Sequence, residues 1–290
     1  MTAFDLAGRH ILLTGASRGL GESIARAMWQ LGAHLFLVAR SERSLSHLKD
    51  ELIRESKGGQ TIEVFPVDLA DCKAPEAILA RAQKSWKRLD VLINNAAIQG
   101  PIGKLWENPW DEWKMTIDIN LLAPVALCRA VLPWMMEFKK GKIVNLSGGG
   151  ATAPRPSFSA YGTAKAALVR FSETLAQELH DQNIQVNCVA PGAMKTKMTE
   201  TIKEAGPAKA GPREYKAALD SLSREESPPL RAVELCCFLA SPASDFMSGR
   251  LISAVWDPWE KLPVYQKELQ ESDIYTLRRI VPRDRGKNWG

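Results

Sequence analysis

The chain has 290 residues and a mass of 32.1 kDa, enough for one large α/β domain or two small ones. Its 45% hydrophobic and 24% charged residues are the balance of an ordered globular protein and exclude extended disorder. The net charge of +5 comes from lysines and arginines spread along the chain, which argues against nucleic-acid or membrane partners.

The five cysteines, Cys72, Cys128, Cys188, Cys236 and Cys237, show no metal-ligand spacing. They read as reduced and mostly buried, and no metal is expected. The N-terminus lacks the basic and apolar regions of a signal peptide, and no apolar run is expected to reach the ~20 residues of a membrane span. The expected location is cytoplasmic.

In chain order, an apolar run at 10–13 closes on Thr14-Gly15, and helical spacing follows over 19–31. Further strand candidates fall at 35–38, 62–65, 91–93, 143–146, 184–189 and 250–253. Helical patterns alternate with them at about 42–56, 74–87, 109–138, 159–180 and 229–240. Strands this apolar belong in a sheet covered on both faces. The alternation implies right-handed crossovers and an α/β fold with a doubly wound, Rossmann-like parallel sheet. A single domain is expected over 1–255. Within it, 192–229 breaks the rhythm with Gly206-Pro207, Gly211-Pro212 and Pro228-Pro229, and reads as a substrate lid. The extension 256–290 is too aromatic for a disordered end, so it is expected to pack on the domain or on a neighbouring subunit.

The first turn carries a cofactor signal. Thr14-Gly15-Ala16-Ser17-Arg18-Gly19-Leu20-Gly21 follows a strand and opens a helix. Glycines there permit a tight turn, and the helix N-terminus offers free N–H groups to a pyrophosphate. The second strand ends Val38-Ala39-Arg40-Ser41, with an arginine near where an NAD site presents an acid. Arg40, with Arg18 in the glycine loop, suits a 2′-phosphate and favours NADP(H) over NAD(H).

Tyr161-Gly162-Thr163-Ala164-Lys165 places a phenol and an ammonium four residues apart, on one face if the stretch is helical. A cation beside a tyrosine favours the phenolate, so the pair is expected to lower the Tyr161 pKa toward general acid/base use.

Together these residues resemble the short-chain dehydrogenase/reductase family over roughly residues 5–255. The match also includes Asp68 after the third strand, Asn94-Asn95-Ala96-Ala97 after the fourth, Asn120 in the long helix and Pro191-Gly192 after the sixth strand. The resemblance implies that Tyr161 exchanges a proton with a carbonyl or alcohol oxygen. It implies that Lys165 lowers the phenol's pKa and bonds the nicotinamide ribose, and that Asn120 holds a water in a relay to that lysine. Around the cofactor it implies contacts from Gly15, Ser17, Arg18, Gly19, Leu20, Gly21, Arg40, Asp68, Leu69, Asn94, Ala96, Pro191 and Gly192. Thr196 either bonds the cofactor or caps the next helix.

Two positions depart from the family pattern. Ala97 replaces the glycine that usually ends the asparagine motif, and Gly148 stands 13 residues before Tyr161, where the family carries a serine. Ser147, one residue earlier, is the expected catalytic hydroxyl if a local bulge turns it. The alternatives are Ser157, Ser159, or no serine at all.

The function expected is hydride transfer between NADP(H) and a small carbonyl or secondary-alcohol substrate, an oxidoreductase acting on CH–OH/C=O groups, in a homodimer or homotetramer. The alternative is an NADP(H)-binding regulatory protein with little turnover. Lysines of 192–229 either meet an anionic substrate or are solvated, and Trp106, Trp110 and Trp113 either line a pocket or simply pack.

Overall fold

Seven strands form where the sequence is most apolar: β1 (His10–Thr14), β2 (His34–Ala39), β3 (Ile62–Pro66), β4 (Val91–Asn94), β5 (Gly141–Leu146), β6 (Ile184–Ala190) and β7 (Leu251–Ser253). The computed structural model describes residues 4–56, 58–223 and 229–289. Residues 224–228 of the segment 192–229, the first three residues of the expected domain and Gly290 of the extension lie outside the described residues.

All neighbouring strands pair in parallel, in the order β3-β2-β1-β4-β5-β6-β7. Strand order reverses between β1 and β4, and a crevice opens at the carboxyl ends of the strands at such a point. The helices are α1 (Gly19–Gln30), α2 (Glu42–Arg54), α3 (Ala74–Ser85), α4 (Trp110–Ile117), α5 (Ala123–Glu137), α6 (Ser159–Glu178), α7 (Lys197–Ala210), α8 (Pro212–Leu222), α9 (Leu230–Ala240) and α10 (Gln266–Gln270). Two apolar cores cover the two faces of the sheet. One joins β1, β2 and β7 to α1, α2 and α9; the other joins Leu12, Leu92 and Ile143 to α3 and α5. Alternate residues of β1 enter opposite cores, Ile11 and Leu13 one, Leu12 the other, as the period of two requires.

The expected helix over 109–138 is interrupted. A π-turn at Asp118–Leu122 separates α4 from α5, and such turns occur often at functional sites. The stretch Trp110–Glu137 nevertheless contains an 18-residue window with a mean hydropathy of 1.6, long and apolar enough, by length and composition, to cross a membrane. The expectation that no run reaches that length is corrected here. Its Leu127, Val131 and Met135 are buried against the sheet, as in the core helix of a folded domain.

The segment 192–229, read from its glycines and prolines as irregular, is largely helical. The breakers sit at joints: Gly206, at φ +73°, kinks α7, and Gly211, at φ +84°, separates α7 from α8. Proline at the first position of α8 costs no hydrogen bond there. Ile202, Ala210 and Ala218 of this pair form a small core with Phe158.

Residues 256–289 lie on their own domain. Trp259, Leu262 and Leu269 are buried in the main core, and the Trp259 ring lies 5.8 Å from Phe238. The Arg250 guanidinium donates to the carbonyls of Leu269, Ser272 and Ile274. Leu251 N donates to Tyr275 O at 2.9 Å, so the tail pairs with the edge strand β7. An uncovered edge is a template for association, and the tail lies over part of this one. Four of the five cysteines are buried and Cys72 is exposed; all are free.

Candidate active site

A cavity of about 710 Å³ lies at the carboxyl ends of the strands, running from the glycine loop to Tyr161. The loop is shaped by what cannot fit in it. A Cβ at Gly15 would lie 2.8 Å from Ala96 Cα, and one at Gly21 only 2.1 Å from Gly15 O. At Gly19, with φ +57°, nothing stands within 4 Å, so the loop is tight against the sheet and open toward the cavity. No side chain caps the start of α1, which leaves its first N–H groups for an anion.

Gly15, Ser17, Arg18, Gly19, Leu20 and Gly21 all line the cavity, as do Arg40, Asp68 and Leu69. Arg18 and Arg40 are exposed, and neither is ion-paired among the described residues. Asp68 is exposed, and its Oδ1 accepts from Ala70 N at 3.0 Å. Ala96, Pro191 and Thr196 also line the cavity. Thr196 caps α7 as well, its Oγ1 accepting from Thr199 N at 3.4 Å. This crevice, with a backbone cradle at one end and Arg18 and Arg40 beside it, fits a nucleotide.

Three expected residues stand elsewhere. Asn94 is buried in the sheet, where its Nδ2 donates to Asn145 Oδ1 at 2.8 Å; it ties β4 to β5 and does not line the cavity. Gly192 takes φ +86° facing Val255 and also lies off the cavity wall. Asn120, inside the π-turn, accepts from Ile98 N at 2.9 Å and donates to Ile98 O at 2.8 Å. Its side chain therefore braces the loop after β4. The residue missed in that loop is Asn95, whose Nδ2 donates to Thr14 O and Gly15 O and so holds the glycine loop. Its place beside Asn94 was visible, but only the tertiary contact separates their roles. Ile98, Gln99, Met194 and Met198 are further wall residues with no motif to announce them.

Tyr161 and Lys165 both line the cavity from α6, and both are buried, at 8% and 2% exposure. Lys165 Nζ lies 5.8 Å from the Tyr161 ring centre and donates to Leu146 O at 2.7 Å. Burial drives the lysine down to about 8 and raises the phenol above its ordinary value. Arg155 opposes that rise. The expected acidification of Tyr161 by Lys165 is thus not what this arrangement produces: desolvation outweighs the opposing Arg155 guanidinium.

Ser147 continues the β5 ladder, its N donating to Val189 O at 2.8 Å, and borders the cavity. It is 3% exposed, and its Oγ has no hydrogen-bond partner among the described residues. The side chain that would face Tyr161 belongs to position 148, where a Cβ would lie 2.5 Å from the phenol oxygen. Ser147 and Tyr161 border the same cavity, but the Ser147 hydroxyl makes no hydrogen bond to the phenol. Neither Ser157 nor Ser159 lines the cavity; Ser159 accepts from Trp113 Nε1 at 3.1 Å. Trp110 stacks on Trp113 at 5.2 Å and Trp106 is 80% exposed, so these rings pack or face outward. Gly148→Ser is expected to push Tyr161 aside and lower turnover about tenfold. A rise in turnover on steady-state assay would instead mean that the phenol has room to retreat.

The model of the short chain dehydrogenase family matches residues 9–206. The chain belongs to this family. A short-chain dehydrogenase relative, oxidoreductase UcpA of Salmonella typhimurium, is 33% identical over 250 residues, covering 84% of this chain and 92% of that protein. The 2,3-dihydro-2,3-dihydroxybenzoate dehydrogenase of Bacillus subtilis is 34% identical over 198 residues, 68% of this chain and 74% of the relative. Among solved short-chain dehydrogenase-like structures, L-sorbose reductase from Gluconobacter frateurii, complexed with NADPH and L-sorbose, superposes with a TM-score of 0.76 at 28% identity. It covers 87% of this chain and 97% of that one. Oxidoreductase family, Rossmann fold and nucleotide-binding crevice therefore agree.

Proposed function

We propose that the chain is an NADP(H)-dependent oxidoreductase acting on a carbonyl or secondary alcohol, with Tyr161 as general acid/base. The observation that carries this reading is the burial of Tyr161 and Lys165 side by side in the wall of the cavity that begins at the glycine loop. The cofactor supplies the hydride. The glycine loop and the start of α1 would hold its diphosphate, and Arg18 and Arg40 would meet the 2′-phosphate. NADPH in the L-sorbose reductase crystal supports that choice.

A phenol raised by burial holds its proton at neutral pH and suits the reduction direction, in which Tyr161 donates to the developing alkoxide. Lys165, brought down to about 8, exchanges a proton near neutrality and can reload it. The α7–α8 pair, which contributes Lys197, Met198 and Thr201 to the wall, closes over the substrate and excludes water. A regulatory protein without turnover gains no support from the relatives named above, each an oxidoreductase.

The test is NADPH oxidation with a panel of ketoses, α-diketones, simple ketones and aldehydes. Turnover on a carbonyl that vanishes in Tyr161→Phe supports the reading; tight NADPH binding with no turnover on any of them overturns it. Arg40→Ala is expected to raise KM for NADPH about 10–100-fold and leave KM for NADH unchanged, the loss of one charge-assisted phosphate contact. Equal effects on the two cofactors would place Arg40 away from the 2′-phosphate.

A further inference from the structure

Arg155 stands outside the cavity wall, on the loop between β5 and α6, and its guanidinium is engaged from two sides. Its Nε and one terminal nitrogen both lie 2.8 Å from Oε2 of Glu214 on α8. Its Cζ lies 3.9 Å from the Phe158 ring centre and 5.9 Å from that of Tyr161. The Arg155 and Glu214 side chains are 15% and 23% exposed, so water screens the pair less than a surface one.

Phe158 is wholly buried and packs with Ile202 of α7 and with Ala210 and Ala218. It directly precedes α6, in whose first turn Tyr161 stands. One ring is thus held between a guanidinium and the α7–α8 pair, three residues before the phenol. The intervening Ser157 takes φ +71°, a conformation unfavourable for its side chain, and its carbonyl accepts from Gly103 N at 2.9 Å.

Lys195, Lys197 and Glu200 share the cavity wall with Tyr161, and other groups approach it from the elements around it. From α6 comes Lys165, turned to Leu146 O. The chain just beyond β5 offers Ser147 and Gly148, both neutral. From the preceding loop comes Arg155, and from α8 comes Glu214, acting through it.

We propose that Arg155 is a positioning residue for the reaction: it clasps the α7–α8 pair through Glu214 and Phe158, and its charge, tempered by Glu214, acts on the Tyr161 phenol. Glu214, held on α8, thus tempers the charge that Arg155 presents to the phenol. This rests on Tyr161 being the acid/base.

The experiment uses the full chain with NADP⁺ and follows phenolate ultraviolet absorbance against pH. Matching Tyr161→Phe backgrounds subtract Tyr215, Tyr265 and Tyr275. Arg155→Gln is expected to raise the Tyr161 midpoint and Glu214→Gln to lower it, each by about half a pH unit or more. Arg155→Lys keeps the charge and is expected to restore most of the parent midpoint. Movement of the Gln variants in the same direction, no movement in either, or an Arg155→Lys midpoint matching Arg155→Gln would reduce the clasp to a structural contact and overturn the proposal. The turnover assay separates the two readings: if Tyr161→Phe keeps full turnover, the acid/base assignment fails, whereas the absorbance still reports what Arg155 does to the phenol.

Discussion

Tyr161→Phe is expected to lower turnover by about 10²–10⁴-fold, the usual contribution of a positioned general acid or base. Affinity for NADPH should stay nearly unchanged, because the residues that shape the dinucleotide cradle lie on other elements: the glycine loop, the end of β2 and the loop after β4. Fold should also survive. The ring remains in the same buried place, and the phenol oxygen makes no hydrogen bond among the described residues whose loss would be felt. Single-turnover kinetics and fluorescence titration with NADPH on the same preparation check both halves. Undiminished turnover would remove Tyr161 from the chemistry, and lost NADPH affinity would make it a binding residue instead.

Lys165→Met carries the second large effect, and its two consequences have opposite sign. Turnover should fall by about 10²-fold or more, because the group that reloads Tyr161 is gone. Stability at neutral pH should rise by about 1–3 kcal/mol, because a buried ammonium is replaced by a side chain of similar length with no charge to desolvate. The pH dependence follows from the direction of the shift. Burial brings Lys165 in the folded chain to about 8, below its ordinary value of 10.5. Between these values the unfolded chain binds more protons than the folded one, so the parent protein gains stability as pH rises across that window. Below it the full cost of the buried charge is present. The advantage of the variant should therefore be complete below pH 8 and shrink as pH climbs toward 10.5. Denaturant unfolding at three pH values measures it; a variant less stable than the parent at pH 7 would mean that the bond to Leu146 O outweighs the burial cost. A group proposed for the chemistry whose removal stabilises the fold is the expected trade between stability and activity.

Much of this was legible because it rests on local rules. The strands at 10–13, 35–38, 91–93 and 184–189 announced themselves by apolar runs, and the parallel sheet followed from their alternation with helices. The glycine loop was readable because its backbone demands are local: a residue with a Cβ cannot stand at Gly15 or Gly21. The pairing of Tyr161 with Lys165 was readable because four residues make one helical turn. Other features were misread for equally physical reasons. Glycine and proline in 192–229 were taken as breaks, yet they serve as the joints of α7 and α8, since proline is tolerated at a helix start. The π-turn at Asp118–Leu122 has no compositional signature. The roles of Asn94 and Asn95 depend on which strand and which loop each faces.

The sequence by itself determined the fold class, the crevice at the carboxyl ends of the strands, the diphosphate cradle and the tyrosine with its lysine. All four depend on period, spacing and backbone sterics that act within a few residues. Only the tertiary structure decided how these groups are tuned. Burial, which is set by distant parts of the chain, raises Tyr161 and lowers Lys165. Just beyond β5, position 148 faces the phenol, while the Ser147 hydroxyl has no partner among the described residues. Arg155, unremarked in the sequence, reaches Tyr161 because α8 and Phe158 hold it there, across 59 residues of chain to Glu214. Desolvation and charge act through space, and the order of residues does not reveal what will stand beside a phenol until the chain has closed around it.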